Sequence, residues 1–242
     1  MRSSPTPPSR PPLGSPNERD SRVTIVVSGG SPPSASVLAH LPAPHRIIAA
    51  DHGYDHARAL GLRVDVLVGD LDSVDPIAVD AAVKEGVDVR RHAPDKDATD
   101  LELALDLASE SGDVADRTRV IVVSGDGTER LDHLAAQFGL LASPKYAHCA
   151  IEAWMGHAHI VVVHGGRSAG LTGRRGDLVT LLPVGGRADG VRTEGLRFPL
   201  FGETLDPFAT RGVSNELIAA EATISVRSGV LLLILPDALG GA

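Results

Sequence analysis

Residues 46–72 read RIIAADHGYDHARALGLRVDVLVGDLD. Two short apolar runs, residues 46–50 and 64–68, flank residues 54–60, whose spacing is helical. Each run is nearly continuous in apolar residues rather than alternating, which is the pattern of a strand buried on both faces. A helix between two such strands is the repeating unit of a parallel sheet. The alternation continues in both directions. Further strand-like runs fall at 23–27, 87–91, 119–123 and 149–154, and helical patterns at 34–40, 76–85, 98–109 and 131–141. A parallel sheet covered on both faces is therefore expected over residues 21–155.

Beyond Gly156 the pattern changes. Runs at 160–164, 177–183, 190–197, 221–227 and 230–235 follow one another with turn residues between them, including Gly165-Gly166 and Gly185-Gly186. This predicts an antiparallel sandwich or barrel over residues 156–242. Residues 1–20 are rich in Pro, Ser and Arg, lack the apolar segment of a secretory signal, and are expected to be a disordered tail.

The chain has 242 residues, of which 43% are hydrophobic and only 3% aromatic, so its core must rest on Val, Leu, Ile and Ala. A formal charge of −8 argues against a nucleic-acid binder, which carries a basic face. It does not argue against a nucleotide, because a divalent cation mediates between carboxylates and phosphates. No apolar run reaches the ~18 residues of a membrane span. A single cysteine, Cys149, excludes an internal disulfide and fits a reducing, cytoplasmic compartment.

Ligands of open α/β sheets bind beyond the carboxyl ends of the strands. Asp51 follows the run ending at Ala50, and Asp70 and Asp72 follow the run ending at Val68. Extended geometry would point Asp70 and Asp72 the same way. A third acidic group, Asp95, Asp97 and Asp100, precedes and opens the next helix. Clustered carboxylates repel one another unless a cation or protons intervene. Oxygen ligands favour Mg²⁺, which bridges substrate phosphates in phosphoryl transfer. Purely structural roles stand beside this reading: Asp97 as a helix N-cap, Asp100 as a first-turn acid, Asp51 as a cap for its own helix. Residues 124–133, SGDGTERLDH, form a glycine-bearing loop in which Arg130 would clamp phosphate oxygens and Asp132 would orient Arg130 or His133. The structural alternative there is a plain loop, a helix cap and a surface histidine. No P-loop pattern is present.

Taken in order, these segments resemble the thiamine pyrophosphokinase family. The segment 50–53, ADHG, is similar to the family's Ala-Asp-Gly-Gly, and 69–73, GDLDS, to its Gly-Asp-x-Asp-Ser. Residues 96–104, KDATDLELA, resemble Lys-Asp-x-Thr-Asp-x-Glu-x-Ala, and 130–133, RLDH, resemble Arg-x-Asp-His. In the second half, 176–183, 195–200 and 213–216 resemble the family's Ser/Thr-Leu-x-Pro strand, its Gly-Leu-x-Tyr-x-Leu and its Ser-Asn-Glu. The resemblance implies an α/β fold: a Rossmann-like, parallel-sheet N-terminal catalytic domain followed by an all-β sandwich domain that binds thiamine. It implies transfer of diphosphate from ATP to thiamine with Mg²⁺, in a homodimer whose active site lies between subunits. Asp70, Asp72 and Asp100 would be the catalytic, Mg²⁺-holding residues, with Asp51 close by. Lys96, Asp97, Thr99, Arg130 and Asp132 would help hold ATP, and Ser214 and Asn215 would recognise thiamine across the dimer. For Ser214 and Asn215 a polar turn is the structural alternative.

Two departures from the family pattern bear on function. Thr128-Glu129 stand where glycines are usual, and His52 replaces a glycine beside Asp51. Two rival functions remain at this point. One is a metal-dependent sugar-nucleotide transferase using Asp70 and Asp72. The other is a non-catalytic regulator binding a nucleotide or thiamine diphosphate.

Overall fold

A computed structural model describes residues 22–110 and 118–240. The expected tail, residues 1–20, lies outside the described residues. In chain order the first half contains β1 (Val23–Val27), β2 (Arg46–Ala50), α1 (Gly53–Ala59), β3 (Val66–Gly69), α2 (Pro76–Lys84), β4 (Asp88–Arg91), α3 (Asp100–Ser109), β5 (Arg119–Ser124), α4 (Leu131–Leu141) and β6 (Ala150–Met155). The helical pattern at 34–40 becomes a short 3-10 helix, Ala35–His40. The second half contains β7 (Ala158–His164), β8 (Arg167–Thr172), β9 (Leu178–Pro183), β10 (Ala188–Glu194), β11 (Phe201–Leu205), β12 (Asn215–Glu216), β13 (Glu221–Val226) and β14 (Val230–Leu235).

The first six strands pair in parallel in the order β6-β5-β1-β2-β3-β4. The order reverses between β1 and β5, which makes their carboxyl ends the crevice of the sheet. At Met155 the chain turns back through Gly156 and His157, and β7 pairs antiparallel with β6. Strands β7, β14, β9 and β12 then extend the same sheet to ten strands. A second sheet of four strands, β11-β10-β13-β8, forms the other layer of the sandwich. The sandwich therefore shares one layer with the parallel sheet.

Alternate residues of each buried strand enter opposite cores, as strand geometry requires. Ile25, Val27, Ile47, Ala49 and Leu67 join Tyr54, Val79, Leu171, Leu181 and Ile224 in one cluster, which runs continuously from α1 and α2 into the sandwich. Val26, Ile48, Ala50 and Val68 face the other way, against Leu101, Ala104, Leu105 and Ala108 of α3. The apolar stripe of α3 thus seats its N-terminus beside the carboxyl ends of β2 and β3. Trp154 is buried and stacks on His159 at 4.2 Å, so it serves packing.

Candidate active site

The acids arrive by three different routes. Asp51 leaves β2 in the left-handed region at φ 48° and is held to β3 by its N–H, which donates to the Val68 carbonyl at 2.9 Å. Its Oδ2 accepts from the Ser73 hydroxyl. The positive φ falls on Asp51 and not on His52, whose backbone is helical at φ −56°. The histidine that replaces glycine therefore needs no special backbone angle. Gly53, in contrast, is required: a Cβ there would lie 2.1 Å from the Val27 carbonyl oxygen.

Asp70 follows β3 through Gly69, at φ 148°. A Cβ on Gly69 would come within 2.9 Å of Asp100 Oδ1 and 3.2 Å of Asp51 Cβ. The glycine is what allows the two acids to converge from either side. Asp100 opens α3, and Thr99 is the N-cap, its Oγ1 accepting from the Glu102 N–H at 3.3 Å. The cap expected of Asp97 thus belongs to Thr99, and Asp97 is exposed.

Asp51, Asp70 and Asp100 each offer a carboxylate oxygen within 4.8 Å of the others. Asp51 Oδ1 is buried with no hydrogen-bond partner. Asp100 Oδ1 is also buried, with the Lys96 ammonium at 3.1 Å but off hydrogen-bond alignment. Lys96 Nζ donates to Asp70 Oδ2 at 2.7 Å. This hydrogen bond holds the Asp70 carboxyl below the usual range. Desolvation opposes the charged form of Lys96, but the Asp70 and Asp100 carboxylates outweigh it and raise the ammonium. Oxygen donors with unmatched lone pairs are the donor chemistry of a Mg²⁺ site. The residues therefore fit such an ion.

The segment that joins Asp70 to Asp72 is not extended. Leu71 between them is left-handed, at φ 62°, and buried, so the alternation of an extended segment is broken. Asp72 lies exposed at the rim, its carboxyl raised chiefly by the Asp70 charge.

Beside this group opens a cleft of about 460 Å³, reaching from Asp51 and Asp100 over Ser28, Gly29 and Gly30 to the flank of α4. It sits at the strand-order reversal. The Gly30 carbonyl is 2.8 Å from His56 Nε2, which fixes the loop after β1. This loop was not among the expected site residues, although two glycines after an apolar strand are the signal that marks it.

The loop after β5 is braced by Asp126, whose Oδ1 accepts from Ser31 Oγ at 3.2 Å, Thr128 N–H at 3.2 Å and Thr128 Oγ1 at 3.0 Å. Thr128 thus closes the turn, and Glu129 is exposed. Arg130 and Asp132 form a two-pronged pair at 3.0 and 2.7 Å on the surface, so the guanidinium faces Asp132.

Two family models match the chain in sequence: thiamin pyrophosphokinase, catalytic domain, over residues 41–153, and thiamin pyrophosphokinase, vitamin B1 binding domain, over residues 169–231. Together they span well over half of it. The chain belongs to the thiamin pyrophosphokinase family. No curated protein sequence matches it significantly. Among solved structures, thiamine pyrophosphokinase from Bacillus subtilis superposes with a TM-score of 0.74 at 23% identity, over 88% of this chain and 98% of that one. The enzyme from Geobacillus thermodenitrificans gives 0.71 at 26%, over 88% and 96%, and that from Candida albicans 0.75 at 13%, over 95% and 94%.

In this thiamin pyrophosphokinase family member the two halves of the expected site stand apart. Ser214 precedes β12, at one edge of the ten-stranded sheet, whereas Asp51 ends β2 near the other. Seven strand spacings separate β2 from β12 in the sheet order, which is roughly 30 Å. Ser214 is exposed and left-handed at φ 56°, with its N–H donating to Thr180 Oγ1 at 3.1 Å. Asn215 is buried and committed to the backbone. Its Oδ1 accepts from the Phe198 and Glu216 N–H groups at 3.0 and 2.9 Å, and its Nδ2 donates to the Phe198 carbonyl at 2.8 Å. It builds the turn that presents Phe198, which is 60% exposed.

Proposed function

We propose that the chain is a thiamine diphosphokinase, transferring diphosphate from ATP to the hydroxyl of thiamine to give thiamine diphosphate and AMP. The observation that carries this reading is the convergence of Asp51, Asp70 and Asp100, with buried unmatched oxygens, on a cleft at the strand-order reversal. The family models over both halves account for a second domain that a sugar-nucleotide transferase leaves unexplained. The regulator reading rested on Thr128-Glu129, and Thr128 is a turn-closing residue while Glu129 is exposed.

In this proposal residues 21–155 are catalytic and residues 156–242 bind thiamine. Asp70 and Asp100, with Asp51 beside them and Asp72 at the open rim, hold Mg²⁺. Bound Mg²⁺ neutralises phosphate charge and fixes phosphate geometry. The hydroxyl oxygen of thiamine bonds to the β-phosphorus. The bond from that phosphorus to the α,β-bridging oxygen breaks, AMP leaves, and the hydroxyl proton passes to a neighbouring carboxylate. Lys96 supplies a positive charge at the acids, and Thr99 sets the start of α3. Arg130 serves the phosphates by exchanging its Asp132 partner for phosphate oxygens, and Asp97 contributes from the surface.

The separation of β2 from β12 supports a site shared by two copies of the chain. Ser214, with Phe198 held by Asn215, would meet thiamine bound against the acids of the partner subunit. Phe201 and Phe208, 71% and 98% exposed, add apolar surface in the same half. A cytoplasmic location belongs to the same reading. No helix of the described residues is long and apolar enough to cross a membrane.

The test is AMP and thiamine diphosphate formation by the purified protein, with thiamine and Mg²⁺ each present or omitted. Matched products that require both establish the reaction. Folded protein that binds thiamine and ATP but forms no AMP would return the regulator reading.

A further inference from the structure

The loop after β5 carries Thr128-Glu129 where the family usually has glycines, and Asp126 does what those glycines cannot. Its Oδ1 accepts three hydrogen bonds, from the Thr128 N–H at 3.2 Å, Thr128 Oγ1 at 3.0 Å and Ser31 Oγ at 3.2 Å. The first two close the turn within the loop, and the third ties it to the loop after β1. The two loops are in close contact, since a Cβ on Gly125 would lie 2.2 Å from the Ser31 carbonyl oxygen. The turn passes directly into α4. The Arg130 N–H donates to the Gly127 carbonyl at 3.2 Å, and the Leu134 N–H to the Arg130 carbonyl at 3.0 Å. Packing holds this end of α4 weakly. Leu141, at the last position of the helix, is its one buried residue, and Arg130 at the N-cap makes no side-chain capping hydrogen bond. The first turn of α4 therefore takes its position from the loop more than from burial. That turn carries His133, which lines the cleft, and follows directly on Arg130. The hydrogen bonds from Thr128 keep the Asp126 carboxyl below its usual range, so it stays an acceptor across neutral pH.

We infer that Asp126 is a positioning residue for the reaction: it fixes in advance the loop and the first turn of α4, which present Arg130 and His133 to the phosphate donor. Thr128-Glu129 leave the backbone less freedom than two glycines would, so the turn has fewer conformations to lose, and Asp126 selects one of them. A segment ordered before its ligand arrives avoids the ordering cost on binding. Asp126 touches neither substrate in this assignment and acts through Arg130 and His133. It works as an acceptor rather than as a charge, because all three hydrogen bonds end on one oxygen. An asparagine oxygen in the same place would accept them too. The inference rests on the diphosphokinase reading of the site.

The test combines steady-state kinetics, ATP binding by calorimetry and amide hydrogen exchange for the wild type, Asp126→Ala, Asp126→Asn, Ser31→Ala and Thr128→Val. Asp126→Ala is expected to melt within a few degrees of the wild type and to exchange the Thr128 and Arg130 amides roughly tenfold faster. Its KM for ATP rises roughly fivefold, the weight of about one net hydrogen bond, while KM for thiamine is unchanged. Asp126→Asn returns KM for ATP to within about twofold of the wild type, because its amide oxygen accepts the same bonds. Ser31→Ala and Thr128→Val each remove one hydrogen bond and leave the Asp126 side chain in place. They fall between, and they carry the test if Asp126→Ala does not fold. Faster exchange in Asp126→Ala with an unchanged KM for ATP would make the bracing purely structural and overturn the inference. Asp126→Asn as impaired as Asp126→Ala would assign the effect to charge and overturn it as well. Wild-type protein that makes thiamine diphosphate while every variant keeps its KM for ATP fails only this inference. Wild-type protein that binds ATP without diphosphate transfer, with that binding weakened in Asp126→Ala and restored in Asp126→Asn, fails only the reaction.

Discussion

Lys96 sits where the carboxylates of Asp70 and Asp100 meet, 2.7 and 3.1 Å from their oxygens. A protein cation thus tempers the repulsion between the two acids. Replacing Asp70 or Asp100 by Asn keeps the shape but removes the charge that a metal requires. Each variant is expected to lose at least ~100-fold in kcat, equivalent to about 3 kcal/mol of barrier, while melting within a few degrees of the wild type. Near-normal turnover in either would remove the metal assignment. Asp72→Asn should also cut turnover strongly, and its comparison with Asp70→Asn tells whether the exposed rim acid matters as much as the enclosed one. Asn215 calls for a different outcome. Its side chain holds three backbone groups, so Asn215→Ala should cost about 1–3 kcal/mol by chemical denaturation. The same variant should raise KM for thiamine, because the Phe198 turn loses its brace. A change in KM with no loss of stability would instead make Asn215 a direct contact.

At the scale of elements, the junction between the parallel sheet and the sandwich is held by charge inside an apolar ladder. Glu152 on β6 accepts from Arg119 Nε on β5 at 2.8 Å and lies 3.1 Å from His159 Nε2 on β7. Burial works against its ionised form, but His159 and then Arg119 outweigh burial and bring its carboxyl down to about 2. A depressed carboxyl contributes stability that is complete above its ordinary value of 4.5. That contribution is lost as pH falls from there toward about 2. Glu152→Gln should therefore destabilise at neutral pH by roughly 2–4 kcal/mol, since Arg119 loses a buried counter-charge. Melting curves between pH 2 and pH 7 should show the gap between variant and wild type closing as pH falls. A gap of constant size would mean that Glu152 acts through packing alone.

For the whole molecule, the sheet is too wide for one chain to bring Ser214 to Asp100. Complementation tests the shared site. Asp100→Asn and Ser214→Trp should each be nearly inactive alone. Co-expressed, half of the dimers would be mixed and each would hold one intact site, so about a quarter of wild-type activity should return. Failure to recover any activity, with mixed dimers isolated by two affinity tags, would place both groups in one subunit's site. Recovery fits the exposed Phe198, Phe201 and Phe208 as surface covered in assembly.

The order of strands and helices was legible because each buried strand is an uninterrupted apolar run and each helix has its own stripe. Local chemistry sufficed for β1, β2, α4 and β14, whose ends fall where the apolar pattern stops. It also placed Asp51 and Asp70 at one edge, since a carboxylate straight after a parallel strand has nowhere else to go, and Asp100 at the start of the helix that follows β4. Other features depended on contacts between distant residues. The entry of Asp51 into the inner group came from its approach to Asp100 across Gly69. The break in extended backbone before Asp72 came from a left-handed Leu71 whose side chain is drawn into the core. The cleft wall of Gln137 and Gly139 exists only because α3 and α4 lie side by side on the same face of the sheet. The sandwich borrows a layer from the parallel sheet because β7 finds its hydrogen-bond partners on the edge of β6. A sequence carries the propensity of each segment, whereas convergence of groups far apart in the chain is set by sheet order and packing.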